Sequence, residues 1–176
     1  MVVQGSDRRE MSQETYEYVG KGLRLLKEGL APFVEMRLKS MPTGRWKVKV
    51  SKRYPAVRNR VEDGKIFWDT SALLKIMEIF WKEAFSDLKN PANSYVGEAI
   101  VARNRWAHQH DFTHEDADRA IDTMRRLLEI VGKKGVDVKE IIKEFDKLRE
   151  EMKPAVTEDV DSTSPPYWKS YAPKMR

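Results

Sequence analysis

Residues 103–108 place a guanidinium, a carboxamide and an imidazole close together on one predicted helix. These groups belong to Arg103, Asn104 and His108. An imidazole can take the proton from a ribose 2′-hydroxyl near neutral pH, which makes His108 the candidate general base. A guanidinium presents a planar set of donors, so Arg103 is the candidate for holding the scissile phosphate while negative charge builds on it. With Asn104 orienting the phosphate, these groups could cleave RNA without a metal ion.

The helical spacing limits how these groups can act together. Asn104 and His108 are four residues apart and share a face, whereas Arg103 and His108 lie about 140° apart around a regular helix. A regular helix therefore cannot direct Arg103 and His108 at one phosphate. Either the helix unwinds near Ala107, or a second copy of the helix completes the site across a symmetric interface, which is the alternative we favour.

The sequence around the motif carries a resemblance to a known family. Residues 98–108 read Glu-Ala-Ile-Val-Ala-Arg-Asn-Arg-Trp-Ala-His, and residues 115–128 read Glu-Asp-Ala-Asp-Arg-Ala-Ile-Asp-Thr-Met-Arg-Arg-Leu-Leu. Both segments resemble the HEPN superfamily, whose signature is an Arg, a polar residue and then a His. Residues 18–34 resemble the opening helix of the HEPN subfamily that accompanies transcript-surveillance endonucleases and prokaryotic defence proteins. Together the segments span most of residues 15–150.

The resemblance implies an all-helical homodimer in which two motifs face each other across a cleft. It implies metal-independent cleavage of RNA that leaves a 2′,3′-cyclic phosphate, in a defence, toxin-like or RNA-surveillance setting. Activity would then be restrained by an inhibitory partner or by an ATPase domain or protein. Many HEPN members are inactive, so the alternative is a non-catalytic module that dimerises and binds RNA for an attached or partner ATPase.

Three further residues are candidates for supporting roles. Arg105 and His110 repeat the spacing of Arg103 and His108, but Trp106 follows Arg105 where the family places a polar residue. We therefore prefer the first pair as the catalytic one. Glu98 is the third candidate, because it could tune the imidazole of the other subunit. Its alternative is a surface or helix-packing carboxylate.

Basic residues are concentrated in residues 37–60, which contain nine Lys or Arg and no Asp or Glu. A concentrated positive surface is typical of one that follows a phosphate backbone. Aromatic side chains within it could stack unpaired bases. A solvated insertion loop is the alternative. The predicted RNA-binding residues are Trp46, Lys47, Lys49, Lys52, Arg53, Tyr54, Arg58 and Arg60.

Hydrophobic periodicity and capping residues predict five helices. They span about residues 12–38, 69–88, 91–110, 113–132 and 137–152, with Ser12 as the first N-cap. The fold class is therefore all-α, an HEPN-like four- to five-helix bundle. A small basic β-ribbon or loop insertion is possible between the first two long helices, because residues 46–50 alternate in polarity and Asp63 precedes Gly64 in a hairpin-turn pattern.

Three glycines interrupt the first predicted helix, at Gly20, Gly22 and Gly29. Each weakens an isolated helix by up to about 1 kcal/mol. Close approach of a neighbouring helix would explain them, and tolerated surface glycines are the alternative.

Length and composition indicate one domain, since the chain has 176 residues of which 40% are hydrophobic. We expect a flexible segment over residues 1–11, the helical domain over residues 12–152 with a basic insertion at about 37–68, and a tail or linker over residues 153–176. That tail is rich in Pro and aromatic residues, so it would be disordered, dock on a partner or lead into a further domain.

Several classes of chemistry are disfavoured. No Cys occurs, which excludes disulfides, thiolate nucleophiles and Cys-ligated zinc and is consistent with a cytoplasmic setting. No apolar run is long enough for a membrane span, and no P-loop motif is present. A metal site at His108, His110 and His114 is not expected, because a new helix cap at Thr113 would separate the last two. We expect no metal and no cofactor.

Overall fold

The computed structural model describes residues 4–42, 44–63 and 65–153, with side chains from residue 13 onward apart from Asn59. Six α-helices lie within these ranges: α1 (Gln4–Lys39), α2 (Trp46–Arg53), α3 (Thr70–Ile79), α4 (Ala92–Ala107), α5 (His114–Gly132) and α6 (Lys139–Met152). Two short strands, β1 (Val61–Glu62) and β2 (Lys65–Ile66), form an antiparallel pair. Apart from Lys153, the predicted tail lies outside the described residues.

Helix α1 is the central element of the bundle. It packs against α3, α5 and α6, and its buried stripe includes Val19, Leu26, Leu30 and Phe33, which recur at helical spacing. The helix begins at Gln4, so Ser12 lies within it and the predicted N-cap is wrong. Residues 4–11, for which the sequence predicts flexibility, are helical.

Two glycines of α1 are explained by close approach of side chains from other helices. A Cβ on Gly20 would lie 2.9 Å from Nε1 of Trp106 in α4, and one on Gly29 would lie 2.6 Å from Cδ2 of Leu128 in α5. Both distances are too short for a real side chain. The glycines therefore let α4 and α5 pack directly against the backbone of α1, as one of the two alternatives predicts.

Side-chain caps define where two of the helices begin. The Asp69 carboxylate accepts a hydrogen bond from the Ala72 N–H at 2.7 Å at the start of α3, and the Thr113 hydroxyl accepts one from the Asp116 N–H at 3.1 Å at the start of α5. The second predicted helix is shorter than expected. Regular α-helix ends at Ile79, and a π-helical turn (Trp81–Phe85) and a 3₁₀ turn (Ser86–Leu88) follow.

The basic insertion between α1 and α3 contains both a helix and a ribbon. The β-ribbon consists of β1 and β2, with Val61 opposite Ile66 and Glu62 opposite Lys65. Residues 46–50, however, are helical, and their period-two alternation does not produce a strand. Val50 is buried and Trp46 packs against the core, whereas Val48 is 66% exposed. Because the two inward residues are four apart, a helix buries both on one side.

The hydrophobic core runs through all of the long helices and reaches into the insertion. Its largest fully buried side chains include Phe33, Phe80, Phe85 and Phe145. The chain is thus an all-α bundle with a two-stranded ribbon in its insertion, as predicted. No helix in the described part of the chain is long and apolar enough to cross a bilayer.

Candidate functional site

The candidate catalytic residues lie where α4 ends. The helix stops at Ala107, and His108 takes the non-helical capping position while its N–H still donates to the Asn104 carbonyl at 3.0 Å. Gln109 then adopts a left-handed conformation with φ of 56°. The His110 N–H donates to the Arg105 carbonyl at 3.0 Å, which closes the helix end as in a Schellman motif. The helix therefore unwinds directly after Ala107, and the His108 side chain is exposed.

Arg105 holds this helix end against the beginning of α5. Its Nη2 donates to the Asp111 carbonyl at 2.8 Å and to the Asp116 carboxylate at 3.0 Å. The guanidinium also lies over the Phe112 ring, 4.6 Å from its centroid. The hydrogen bond from Arg105 holds the pKa of Asp116 below its ordinary value. These contacts give Arg105 a structural role, which favours Arg103 as the arginine that is available for a phosphate.

Trp106 joins the same helix end to α1. Its indole stacks on the Tyr16 ring with centroids 5.5 Å apart and planes 14° apart, and the Tyr16 hydroxyl donates to the Trp106 carbonyl at 2.9 Å. The absence of a side chain at Gly20 leaves room for the indole. Trp106 and Arg105 thus fix the end of α4 from two directions.

Arg103, which is half-buried, and Asn104 lie near the end of α4. Nη1 of Arg103 donates to Oδ1 of Asn104 at 3.3 Å, and the Asn104 side chain is exposed. Among the described side chains, no hydrogen bond joins Arg103 to His108. The exposed rings of His108 and His110 lie edge to face with centroids 6.3 Å apart. The structure therefore brings the predicted residues to one end of a helix, without a direct Arg103–His108 bond.

Asp69 binds the basic insertion through Arg60. Its Oδ2 accepts hydrogen bonds from Arg60 Nε at 3.0 Å and from Arg60 Nη2 at 2.7 Å. Partial burial opposes ionisation, but the Ala72 N–H, the Arg60 guanidinium and the nearby charge of Arg103 together hold the pKa of Asp69 below its ordinary value. The sequence predicts a helix that starts near Asp69 and misses the ion pair with Arg60. An ion pair between residues on either side of the ribbon has no signature in local sequence.

Glu98 contributes to helix packing within the chain. Its Oε2 accepts hydrogen bonds from Arg119 Nε at 3.3 Å and from Thr123 Oγ1 at 3.2 Å, both on α5. This geometry matches the helix-packing carboxylate that the sequence leaves as an alternative. A role for Glu98 at the site of another subunit stays a prediction.

The predicted RNA-binding residues fall into different environments. Lys49 and Arg53 both bind the Glu83 carboxylate, with N–O distances of 2.5 Å each, and Arg53 also donates to the Ile79 carbonyl at 2.6 Å. The hydrogen bond from Lys49 holds the pKa of Glu83 below its ordinary value. Among the remaining predicted residues, Trp46 and Tyr54 pack against the core, and Arg60 binds Asp69. The side chains of Lys47, Lys52 and Arg58 are exposed.

The histidines near the motif lie on different elements. His110 is in the loop after α4, whereas His114 begins α5 and its Nε2 contacts the Met152 carbonyl at the end of α6. Among the side chains that the structure describes, no group of three or more His, Asp or Glu residues is placed to hold a metal ion. The expectation of a metal-free reaction stays a prediction.

Comparison with sequence families gives one match, to the family described as Swt1-like HEPN, over residues 21–132. This range runs from the middle of α1 to the end of α5, and it includes the basic insertion and the Arg103–His108 motif. Comparison with curated proteins and with solved structures finds no significant match. Because the family match covers more than half of the chain, the chain belongs to the Swt1-like HEPN family.

Proposed function

We propose that this protein is a metal-independent endoribonuclease that acts as a homodimer. The best support is that some residues of the 103–108 motif are engaged in contacts within the chain while others are exposed. Arg105 and Trp106 are occupied in fixing the helix end, whereas Asn104 and His108 are exposed on it. Arg105 and Trp106 thus fix the end of α4 and leave the Asn104 and His108 side chains accessible to a substrate.

In the proposed reaction, the His108 imidazole accepts the proton of a ribose 2′-hydroxyl. The oxygen attacks the adjacent phosphorus, the bond from phosphorus to the 5′-oxygen breaks, and the leaving oxygen takes up a proton from the protonated His108 imidazole. Arg103 binds the phosphate as its negative charge grows, and Asn104 orients it. The products are a 2′,3′-cyclic phosphate and a 5′-hydroxyl, so the atoms and charges balance without water or a metal ion.

The geometry of α4 supports a site shared between two copies. Although the helix ends between Arg103 and His108, the two side chains share no hydrogen bond in the described part of the chain. The neighbouring surface is open: Val101 is 59% exposed, and a Cβ on Gly97 would meet nothing within 4 Å. Both residues line a groove of about 550 Å³ between α4 and α5. Arg103, Asn104 and His108 do not line this groove, so the groove supports an open surface beside the site and not the site itself. We propose that a second α4 packs along this surface and brings its Arg103 towards the first His108.

Cleavage of labelled single-stranded and structured RNA in EDTA tests the activity. Wild type should produce a terminal 2′,3′-cyclic phosphate, while His108→Ala and Arg103→Ala should each lose most of the cleavage. His110→Ala is the comparison that decides between the two Arg–His pairs, because it removes the same type of side chain from the same helix end; if Arg103 and His108 are the catalytic pair, it should retain activity. Equal cleavage by wild type and His108→Ala would refute the proposed base.

Mixing two inactive variants tests the shared site. In a heterodimer of Arg103→Ala and His108→Ala, one of the two composite sites keeps both native residues. Random exchange of subunits should therefore restore about a quarter of the wild-type activity. A site contained within one chain would stay inactive in every mixture.

The second candidate is a non-catalytic module that dimerises and binds RNA for an attached or partner ATPase. The lack of a direct Arg103–His108 contact within the described chain is the observation that favours it. Binding of RNA without cleavage, unchanged by His108→Ala, would identify this role. For the nuclease, we propose a cytoplasmic defence, toxin-like or RNA-surveillance role, restrained by an inhibitory partner or an ATPase.

A further inference from the structure

The segment that leads into α3 alternates between packed and exposed side chains. Ile66 and Trp68 pack against the core, and Trp68 Nε1 donates to Glu35 Oε1 on α1 at 2.9 Å. Phe67, between them, is 56% exposed. Successive side chains of an extended chain point to opposite sides, so anchoring Ile66 and Trp68 inward directs Phe67 outward.

Phe67 stands beside the arginine cluster of the candidate site. Its N–H donates to the Arg60 carbonyl at 2.8 Å, which places the two residues opposite each other at the end of the ribbon. The Arg60 guanidinium binds Asp69, two residues after Phe67. Arg103 lies near this pair, because its positive charge contributes, after the Ala72 N–H and Arg60, to the lowered pKa of Asp69. Two guanidiniums and one carboxylate give this cluster a net positive charge.

We propose that Phe67 is the stacking platform for an unpaired nucleobase of the RNA, next to the phosphate that Arg103 holds. Two extended residues span about 7 Å, so the Cα atoms of Phe67 and Asp69 are separated by about the reach of one nucleotide. An aromatic face accepts any base by stacking, and the positive cluster attracts the adjoining phosphate. This inference rests on the proposed function and assigns its substrate as single-stranded RNA.

The other exposed apolar side chains fit this role less well. Among the large hydrophobic residues that are exposed in the described part of the chain, Phe67 is aromatic, and the others are Met36, Val48, Val61 and Val101. The aromatic residues that the sequence suggests for stacking, Trp46 and Tyr54, are half-buried and packed against the core. Phe67 therefore combines an exposed ring with a position beside the candidate phosphate-binding residues.

The test measures binding of a short single-stranded RNA that carries 2-aminopurine, whose fluorescence falls when the base stacks. The His108→Ala protein serves as the background so that the RNA stays intact. Phe67→Ala and Phe67→Leu should weaken binding by between about fivefold and about a hundredfold and abolish the quenching. Phe67→Tyr should retain both. Val48→Ala is the control, because it alters an exposed apolar residue elsewhere in the basic insertion.

The outcomes separate this inference from the proposed function. If wild type cleaves RNA while Phe67→Ala binds and quenches as its parent does, the stacking site is wrong and the nuclease stands. Retention of binding by Phe67→Leu would also overturn it, since leucine has no ring to stack. If the His108→Ala protein, in which Phe67 is intact, binds no RNA at all, both the stacking site and the proposed function are wrong. Thermal unfolding of each variant establishes that it is folded.

Discussion

The Tyr16 hydroxyl donates to the Trp106 carbonyl at 2.9 Å while the two rings stack with centroids 5.5 Å apart. One residue of α1 thus contacts both the backbone and the side chain of a residue two positions before His108. The same carbonyl also accepts the Gln109 N–H at 3.1 Å, so the Tyr16 hydroxyl adds a second hydrogen bond at the end of α4. This contact links the stability of the bundle to the placement of the candidate base.

Two substitutions of Tyr16 separate the contribution of the hydrogen bond from that of the ring stacking. Tyr16→Phe keeps the stacking and removes the hydrogen bond, so we expect a loss of about 1 kcal/mol in the free energy of unfolding. Tyr16→Ala removes both and should cost about 3 kcal/mol or more. Urea unfolding measures the stability of both variants, and RNA cleavage below the transition reports on the site. Equal stability of Tyr16→Phe and Tyr16→Ala would show that stacking contributes nothing.

Adding a methyl group at two glycines of α1 should have opposite effects. At Gly20 the new Cβ would lie 2.9 Å from Trp106 Nε1, and the stacked indole has little freedom to move. We expect Gly20→Ala to destabilise the fold by about 1–3 kcal/mol through overpacking. At Gly22 the nearest atoms are 3.4 Å away, which is ordinary contact. Gly22→Ala should be neutral or stabilising by up to about 1 kcal/mol, because alanine favours the helix.

Thermal unfolding of the two alanine variants provides the comparison. Gly20→Ala should also reduce RNA cleavage, since it displaces the residue that anchors the end of α4. Unchanged stability in Gly20→Ala would mean that Trp106 can shift without cost and does not fix the helix end.

Asp69 gives a matched pair of substitutions. Asn caps a helix about as well as Asp, so Asp69→Asn removes the charge facing Arg60 and keeps the cap on α3. Asp69→Ala removes both and should be less stable than Asp69→Asn by about 1 kcal/mol. Urea unfolding at neutral pH tests this difference. Equal stability of the two variants would rule out a contribution from the cap.

The lowered pKa of Asp69 also sets a direction for pH dependence. Because its pKa is lower in the folded than in the unfolded chain, ionised Asp69 stabilises the fold above its unfolded pKa, near about 4. That stabilisation is lost as the pH falls through the folded-state pKa. The stability difference between wild type and Asp69→Asn should therefore shrink on acidification from neutral pH to about pH 3. A difference independent of pH over this range would contradict the ion pair.

The basic insertion should contribute unequally to RNA binding. Lys52 and Arg58 are exposed, whereas Lys49 and Arg53 bind Glu83 within the chain. We expect Lys52→Ala combined with Arg58→Ala to reduce the slope of log K against log salt by about 1 to 2, because each phosphate contact releases a counterion. Lys49→Ala combined with Arg53→Ala should reduce it less. Fluorescence anisotropy at several salt concentrations distinguishes the pairs, and unchanged slopes in both would argue against RNA contact by this segment.

Local sequence accounts for much of the fold. The apolar periodicity predicts the long helices, and the caps at Asp69 and Thr113 predict where α3 and α5 begin. These predictions succeed because helical spacing and capping depend on residues within one or two turns of each other. The prediction of a strand at residues 46–50 fails because which side of that segment is buried depends on the core beneath it.

The sequence likewise predicts only part of the candidate site. The motif alone identifies Arg103, Asn104 and His108 as groups that could act on RNA, because their chemistry and spacing are written in six consecutive residues. The sequence already favours Arg103 over Arg105, but only the tertiary structure shows that Arg105 is occupied by Asp111 and Asp116, and only it places Phe67 beside Arg60. Those distinctions depend on ion pairs, stacking and exposure among residues brought together from distant positions, which a local pattern does not encode.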